Sequence, residues 1–215
     1  MRLKLFGGNR LQGEVAVSGS KNAAGPLIAA SVLFDRPVRL TNVPRLTDVD
    51  KLLEILASMG AQARWLDAHV LEIDPRGLDP ASLDQKKMKS MRYSILLLGP
   101  MLARFRRVTV PEPGGCNIGN RPIDTHLFAL EALGARTERD AAGLLQMTAE
   151  KLVGTTVILP EFSVTATENL VMAAALATGT TRIRLAAAEP HVQTLCAFLQ
   201  AAGARIAGIG THELE

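Results

Sequence analysis

One glycine-rich stretch contains the residues best suited to chemistry. Cys116 follows two glycines, and Arg121 lies five residues beyond it. A nearby cation stabilises a thiolate and so lowers the pKa of a cysteine. The glycines leave the backbone free to bring the thiol to a substrate. Cys116 is therefore a candidate catalytic residue, with an incidental loop cysteine as the alternative.

The sequence does not match two other common patterns, those of a phosphate-binding loop and of a zinc site. Gly114–Gly119 has the glycine spacing of a phosphate loop, but Asn120 and Arg121 follow where Lys and Ser or Thr are required. None of the four histidines has a cysteine or histidine at zinc spacing, so we expect no metal and no cofactor. Cys196 falls on the apolar face of a predicted helix and is expected to belong to the core.

Composition limits the size and the partners of the protein. With 215 residues, 47% of them apolar, the chain can form one large domain or two small ones. A net charge of +3, with one Trp and one Tyr, argues against a nucleic-acid partner. No apolar run approaches the roughly 18 residues of a membrane span, so we expect no membrane partner. Two cysteines in separate regions predict a reduced, cytoplasmic protein.

Three internal repeats organise the chain, each with a helix that ends in Gly-Ala and a strand that runs into proline. The recurring glycines are Gly60, Gly134 and Gly203, and the recurring prolines are Pro44, Pro113 and Pro190. Each unit is predicted to contain strand, helix, strand, helix and two strands, which implies an α/β fold with partly parallel strands. The units span about 14–74, 84–150 and 155–215, after a segment 1–13. Gly114–Asn120 lengthens the second unit, as expected for a site grafted onto a scaffold.

The first unit illustrates the predicted elements. In chain order they are a strand at Glu14–Ser18, a helix at Asn22–Phe34, a strand at Val38–Val43, a helix at Val49–Met59, and paired strands at Gln62–Leu66 and His69–Ile73. The later segments Ser94–Ala103 and Leu170–Ala177 are so apolar that we expect buried helices there.

Three predicted helix starts occupy equivalent positions in the repeats, at Lys21, Arg92 and Thr167. Unpaired N–H groups at a helix start suit an anion, whereas a cation there is unfavourable for the helix itself. Lys21 and Arg92 therefore indicate an anion site, with side chains that extend into solvent as the alternative. Asp50 and Asp124 each lie ten residues before the glycine of their repeat. Asp50 is expected to complement a helix dipole, and Asp124 either does the same or contacts a ligand.

With these residues in view, the sequence resembles the UDP-N-acetylglucosamine enolpyruvyl transferases of peptidoglycan synthesis, nearly from end to end. The resemblance rests on the motifs Ser18–Ala24, Lys89–Ser94, Leu98–Phe105, Pro113–Asp124 and Ser163–Asn169. The motif that contains the cysteine is the most specific of the five. The resemblance implies two similar lobes, each an inside-out α/β barrel of three repeated units, and catalysis without a metal.

The resemblance also implies a reaction and roles for individual residues. Members of this family transfer the enolpyruvyl group of phosphoenolpyruvate to the 3-hydroxyl of UDP-N-acetylglucosamine. Cys116 would act as general acid toward the methylene carbon of phosphoenolpyruvate and could form a covalent adduct with it. It would also be the residue that fosfomycin alkylates. Lys21, Asn22 and Arg121 would bind phosphoenolpyruvate. The residues that would bind the UDP-sugar are Arg92, Arg121, Pro122, Ile123, Asp124, Thr125, Glu161, Phe162, Ser163 and Val164.

The chain departs from this family in length and at two positions. Family members carry a second lobe with the catalytic base, so we expect the missing C-terminal lobe as a partner and little or no turnover from this chain alone. Segment 1–13 is expected to pack with that lobe, and exposed apolar surface makes self-association plausible. We interpret the end at Glu215 as a chosen domain boundary or the end of a truncated or split gene. Thr165 replaces the usual glycine, and Glu161 stands where some members carry lysine, which bears on uridine binding.

Two other functions stay open at this point. A transferase similar to enolpyruvylshikimate phosphate synthase would share the fold, although that family lacks the loop with the cysteine. A non-catalytic half that binds a UDP-sugar or a protein partner is the other alternative. The presence of Cys116, Lys21, Arg92 and Arg121 argues against a loss of the chemistry.

Overall fold

The described structure is a mixture of short sheets and apolar helices. The computed structural model describes residues 3–111 and 122–215. Within these ranges the α-helices are α1 (Lys21–Ala30), α2 (Thr47–Ser58), α3 (Gln85–Lys89), α4 (Leu98–Phe105), α5 (Asp124–Ala132), α6 (Val164–Ala174) and α7 (Pro190–Ala201). Segments of 3-10 helix are found at Ser31–Leu33, Pro80–Ser82 and Arg92–Leu97. None of the described helices has the length and apolar character that a bilayer crossing demands.

The strands of the described ranges form three sheets of three strands each. They are β1 (Val38–Leu40), β2 (Gln62–Asp67), β3 (Val70–Asp74), β4 (Arg107–Val110), β5 (Arg136–Arg139), β6 (Leu145–Thr148), β7 (Thr156–Ile158), β8 (Arg182–Arg184) and β9 (Glu213–Leu214). The first two sheets, ordered β1-β3-β2 and β4-β6-β5, are antiparallel throughout. In the third sheet β8 is central, with β7 parallel and β9 antiparallel to it. The α/β prediction is therefore confirmed at the level of class.

Helix α6 lies at the centre of the molecule. It packs against α4, α5 and α7, while α1 packs against α2 and α7. Leu170 and Met172 of α6 are fully buried in the apolar core that the helices and sheets share. The burial predicted for Ser94–Ala103 is confirmed, whereas that predicted for Leu170–Ala177 holds only as far as Ala173, since α6 ends at Ala174 and Leu176 is 42% exposed.

Helices α4 and α6 approach each other most closely at Gly99. The Gly99 N–H donates to Asn169 Oδ1 over 2.7 Å, and Asn169 Nδ2 donates to the carbonyls of Ile95 and Thr165 over 3.1 and 2.9 Å. A Cβ at position 99 would collide with the Asn169 carbonyl, so the approach requires glycine. This contact fixes the first turn of α6 relative to the rest of the core.

The recurring glycines end their helices as predicted. Gly60, Gly134 and Gly203 have φ angles of +100°, +102° and +106°, the left-handed conformation in which glycine stops a helix. After the first of them, β2 and β3 pair antiparallel, which confirms the predicted pair Gln62–Leu66 and His69–Ile73.

Other predicted boundaries were wrong. Glu14–Ser18 has no regular structure, and its Val15 and Val17 are 90% and 92% exposed, because no described strand pairs with this segment. Strand β1 ends at Leu40 rather than Val43, since Asn42 adopts a left-handed φ of 55°. The pattern of apolar residues alone therefore overestimated the strands of the first unit.

Two predicted helices are also divided differently from the expectation. The helix predicted at Asn22–Phe34 is α1 followed by 3-10 helix at Ser31–Leu33. The helix predicted at Ser94–Ala103 has its first part in the 3-10 helix Arg92–Leu97, and α4 begins only at Leu98. Arg92 therefore begins a 3-10 helix, and Thr167 is the fourth residue of α6 rather than its start.

Candidate functional site

A cavity of about 610 Å³ opens where the starts of α1, α2, α5 and α6 meet the 3-10 segment Arg92–Leu97. The side chains that line it are Lys21, Asp48, Lys51, Ser90, Met91, Arg92, Tyr93, Ile95, Pro122, His126, Glu161, Ser163 and Thr165. Helix starts carry a partial positive charge, and Lys21, Lys51 and Arg92 add three cations. The cavity is therefore suited to an anionic ligand.

Lys21 opens α1 and points across the cavity mouth. Ser20 caps the helix by accepting from the Ala23 N–H over 3.3 Å. The Lys21 ammonium lies 2.8 Å from Asp48 Oδ2 and 5.9 Å from the centroid of the Tyr93 ring. Because both partners of the ion pair are about half exposed, the pair is weak and an incoming anion can compete for the lysine.

Tyr93 lines the cavity and packs against α1. Its hydroxyl donates to the Asn22 carbonyl over 3.0 Å, and its ring fills the space that a side chain on Gly25 would need. Burial raises the pKa of Tyr93, with smaller contributions from the charges of Glu168 and Asp48. The phenol therefore stays protonated and holds the backbone of α1 beside the cavity.

Two hydrogen bonds join the first turn of α5 to the start of α6. Thr125 Oγ1 donates to Glu161 Oε1 over 2.9 Å, and His126 Nε2 lies 2.8 Å from Thr165 Oγ1. Burial and, to a smaller extent, the charge of Arg92 lower the pKa of His126, while the Ile123 backbone and Glu161 oppose the change. The resulting pKa is about 4. The imidazole is therefore neutral at neutral pH.

The predicted site residues divide into three groups. Those that line the cavity are Lys21, Arg92, Pro122, Glu161 and Ser163. Those that lie outside the lining are Asn22, Ile123, Asp124, Thr125, Phe162 and Val164. Cys116 and Arg121 lie outside the described residues, so the structure does not bear on their predicted roles.

The residues outside the lining have positions of their own. Asn22 contacts Tyr93 through its carbonyl, and Thr125 is linked to the lining through Glu161. Asp124 is the exposed first residue of α5. The Phe162 ring stands edge-on to the His212 ring, with centroids 4.7 Å apart.

Sequence reasoning missed several lining residues, chiefly Asp48, Lys51, His126 and the hydroxyl of Thr165. Asp48 and Lys51 lie in the first turns of α2, where the sequence directed attention only to Asp50, as a complement to the helix dipole. His126 was judged only for zinc spacing. In the structure all four lie within the first five residues of α2, α5 or α6, a position comparable to that of Lys21 in α1.

The other chemical groups of the described chain are less suited to a reaction. No three His, Cys, Asp or Glu side chains in residues 3–111 and 122–215 come together as a metal ion would require. Cys196 is fully buried, and burial raises the pKa of its thiol to about 11. Its predicted place in the core is confirmed.

The fold and the site together define a mixed α/β protein with a cavity for an anion at its helix starts. The family model described as EPSP synthase (3-phosphoshikimate 1-carboxyvinyltransferase) matches residues 5–214, and the chain belongs to that family. Its relatives include the UDP-N-acetylglucosamine 1-carboxyvinyltransferase of Bradyrhizobium diazoefficiens, which is 49% identical over 208 residues, 97% of this chain and 48% of the relative. The enzyme of the same name from Wolinella succinogenes is 45% identical over 213 residues, 99% of this chain and 51% of the relative.

Solved structures give the same assignment of the fold. The enolpyruvyl transferase NikO from Streptomyces tendae superposes with a TM-score of 0.81 at 25% identity, over 97% of this chain and 49% of that one. EPSP synthase from Acinetobacter baumannii has a TM-score of 0.73 at 19% identity, which speaks for the fold alone. The chain thus spans about half the length of the curated relatives and solved structures that it matches.

Proposed function

We propose that this chain is the lobe of a UDP-N-acetylglucosamine 1-carboxyvinyltransferase that binds the UDP-sugar and carries the catalytic cysteine. The reaction would transfer the enolpyruvyl group of phosphoenolpyruvate to the 3-hydroxyl of the sugar, an early step of peptidoglycan synthesis. The observation that carries the proposal is the cavity at the helix starts, which both Lys21 and Arg92 line, in a chain 49% identical to a relative of that name.

Each proposed role follows from the charge and position of the residue. Lys21 and Arg92 would neutralise the phosphate and carboxylate charges of the substrates in a poorly hydrated site. Asn22 and Arg121 would complete the phosphoenolpyruvate site, with Cys116 as general acid. The remaining proposed ligands of the UDP-sugar are Pro122, Ile123, Asp124, Thr125, Glu161, Phe162, Ser163 and Val164.

The proposal extends to architecture and partners. The three sheets of three strands, each with core helices between its strands along the chain, support an inside-out α/β barrel of three repeated units. Because the relatives are about twice as long, the partner of this lobe would be a second lobe that supplies the catalytic base. We propose a cytoplasmic protein that needs no metal or cofactor, with no nucleic acid among its ligands.

Ligand-dependent melting tests the proposal directly. The chain is heated alone, with UDP-N-acetylglucosamine, and with shikimate 3-phosphate, each at about 1 mM. A ligand that binds only the folded state raises the melting temperature by mass action. We expect a rise with the UDP-sugar and none with shikimate phosphate. A rise with shikimate phosphate would instead favour 3-phosphoshikimate 1-carboxyvinyltransferase activity, for which the matching family model is named.

A matched pair of variants distinguishes binding in the cavity from binding elsewhere. Arg92→Ala removes a cation from the lining, whereas Arg136→Ala removes an exposed one from β5. We expect the first variant to lose most of the thermal rise and the second to keep it. A larger rise with shikimate phosphate, or equal effects of the two variants, would contradict the proposed substrate or its site.

A further inference from the structure

The first turn of α5 is joined by two hydrogen bonds to the first turn of α6 and to the loop before it, and the sequence did not predict them. We name this the α5–α6 clamp, formed by the pairs Thr125–Glu161 and His126–Thr165. Each pair joins residues 36 or 39 positions apart in the chain. The clamp therefore sets the spacing between two segments that reach the cavity from different repeats.

The His126–Thr165 pair is the inner half of the clamp. His126 is 4% exposed, and its Nε2 faces the Thr165 hydroxyl at the cavity wall. A hydroxyl can both donate and accept, so it serves either neutral tautomer of the ring. A residue without a hydroxyl at position 165 would leave the buried Nε2 without this partner, which is unfavourable in a dehydrated environment.

The surroundings of the ring favour a neutral, oriented imidazole over a charged one. Arg92 contributes a cation from the 3-10 segment, and Glu161 contributes a carboxylate from the loop before α6. Within α5 itself, Asp124 is two positions away and exposed. A protonated ring would meet the like charge of Arg92, so hydrogen bonding rather than charge holds the ring in place.

We propose that Thr165 is a positioning residue for the UDP-sugar site: its hydroxyl orients the His126 ring and thereby fixes the distance between the starts of α5 and α6. This inference rests on the proposed function, because the two segments that the clamp joins are those proposed to bind the UDP-sugar. Thr165 acts through His126 and need not touch the ligand. Its effect is to arrange the cavity before the ligand arrives, which reduces the ordering required on binding.

Two readouts on the 215-residue chain test the inference. The first is the set of ring ¹⁵N chemical shifts of His126 without ligand, and the second is the calorimetric affinity for UDP-N-acetylglucosamine. Thr165→Val keeps the size and β-branching of the side chain but lacks the hydroxyl, whereas Thr165→Ser keeps the hydroxyl. We expect Thr165→Val to move the ring shifts and weaken binding about tenfold, and Thr165→Ser to stay within about twofold of the wild type.

The outcomes separate the inference from the proposed function. Unchanged ring shifts in Thr165→Val, or unchanged affinity, would overturn the positioning role. Should that variant not fold, Thr165→Ala provides the same loss of the hydroxyl without the branched side chain. A wild-type chain that binds no UDP-N-acetylglucosamine contradicts the proposed function instead, and the ring shifts of the unliganded variants then decide the inference alone.

Discussion

Glu168 shows how strongly a single buried residue can depart from its usual chemistry. It has no exposed surface in the middle of α6, and neither carboxyl oxygen has a hydrogen-bond partner among the described residues. Burial raises the pKa of Glu168 to about 8, with a further contribution from the charge of Glu189. An isolated carboxylate is poorly tolerated away from water, so the side chain is a neutral acid at neutral pH.

The stability of the protein should therefore depend on pH through Glu168. The pKa rises from an ordinary value of 4.5 in the unfolded chain to about 8 in the folded one, so folding takes up a proton between these pH values. The contribution is fully present below the unfolded pKa and is lost as pH rises toward 8, on the order of 5 kcal/mol in all. Glu168→Gln should become progressively more stable than the wild type from pH 5 to pH 8, as measured by urea unfolding.

An exposed glutamate provides the control for this prediction. Glu131 lies on the solvent side of α5, so Glu131→Gln should follow the wild-type curve at every pH. Parallel curves for wild type and Glu168→Gln would mean that the carboxyl group finds a compensating partner in the folded state. The comparison is made at constant ionic strength, because screening changes the surface charges more than the buried one.

At the scale of elements, the α4–α6 crossing is connected to the cavity wall through Thr165. Gly99 allows the backbones to approach, and Asn169 satisfies three backbone groups around the crossing. One of these is the Thr165 carbonyl, so the same asparagine also holds the first turn of α6. A disturbance at Gly99 should therefore reach the cavity wall.

Gly99→Ala should destabilise the protein because the new methyl group would collide with the Asn169 carbonyl. Forcing an extra carbon into a close-packed contact typically costs about 1–3 kcal/mol. We expect a lower melting temperature and weaker binding of the UDP-sugar. Gly7→Ala is the matched control, since nothing lies within 4 Å of a Cβ at that position. Equal melting temperatures for the two variants would show that the helices can separate without loss.

Local signals in the sequence predicted more of the fold than of the site. The helix stop at Gly60 needs only a left-handed glycine after an amphipathic run, and the hairpin β2–β3 needs only two short alternating segments. The Gly99–Asn169 contact joins residues 70 positions apart, and no pattern indicates which helix Gly99 faces. Lys21 was found because a cation is unfavourable at a helix start. Nothing near His126 in the sequence indicates that its side chain lies beside Thr165, which is 39 positions away.

At the scale of the whole molecule, residues 3–18 form an exposed N-terminal segment without helix or strand. It carries six apolar side chains, each more than three-quarters exposed: Leu3, Leu5, Phe6, Leu11, Val15 and Val17. Such a concentration of exposed apolar surface usually marks an interaction site. We propose that this exposed segment takes part in self-association of the chain.

The double substitution Val15→Lys and Val17→Lys should reduce self-association without destabilising the fold. Both valines make little contact with the core, so the melting temperature should stay within about 1 °C of the wild type. The sedimentation coefficient at high protein concentration should fall toward that of a monomer, because the added charges oppose contact between the segments. Val108→Lys, at a buried position of β4, is the contrasting variant and should lower the melting temperature strongly. If the double variant melted early, the segment would pack on the lobe in solution; if it associated as the wild type does, the contact would lie on another surface.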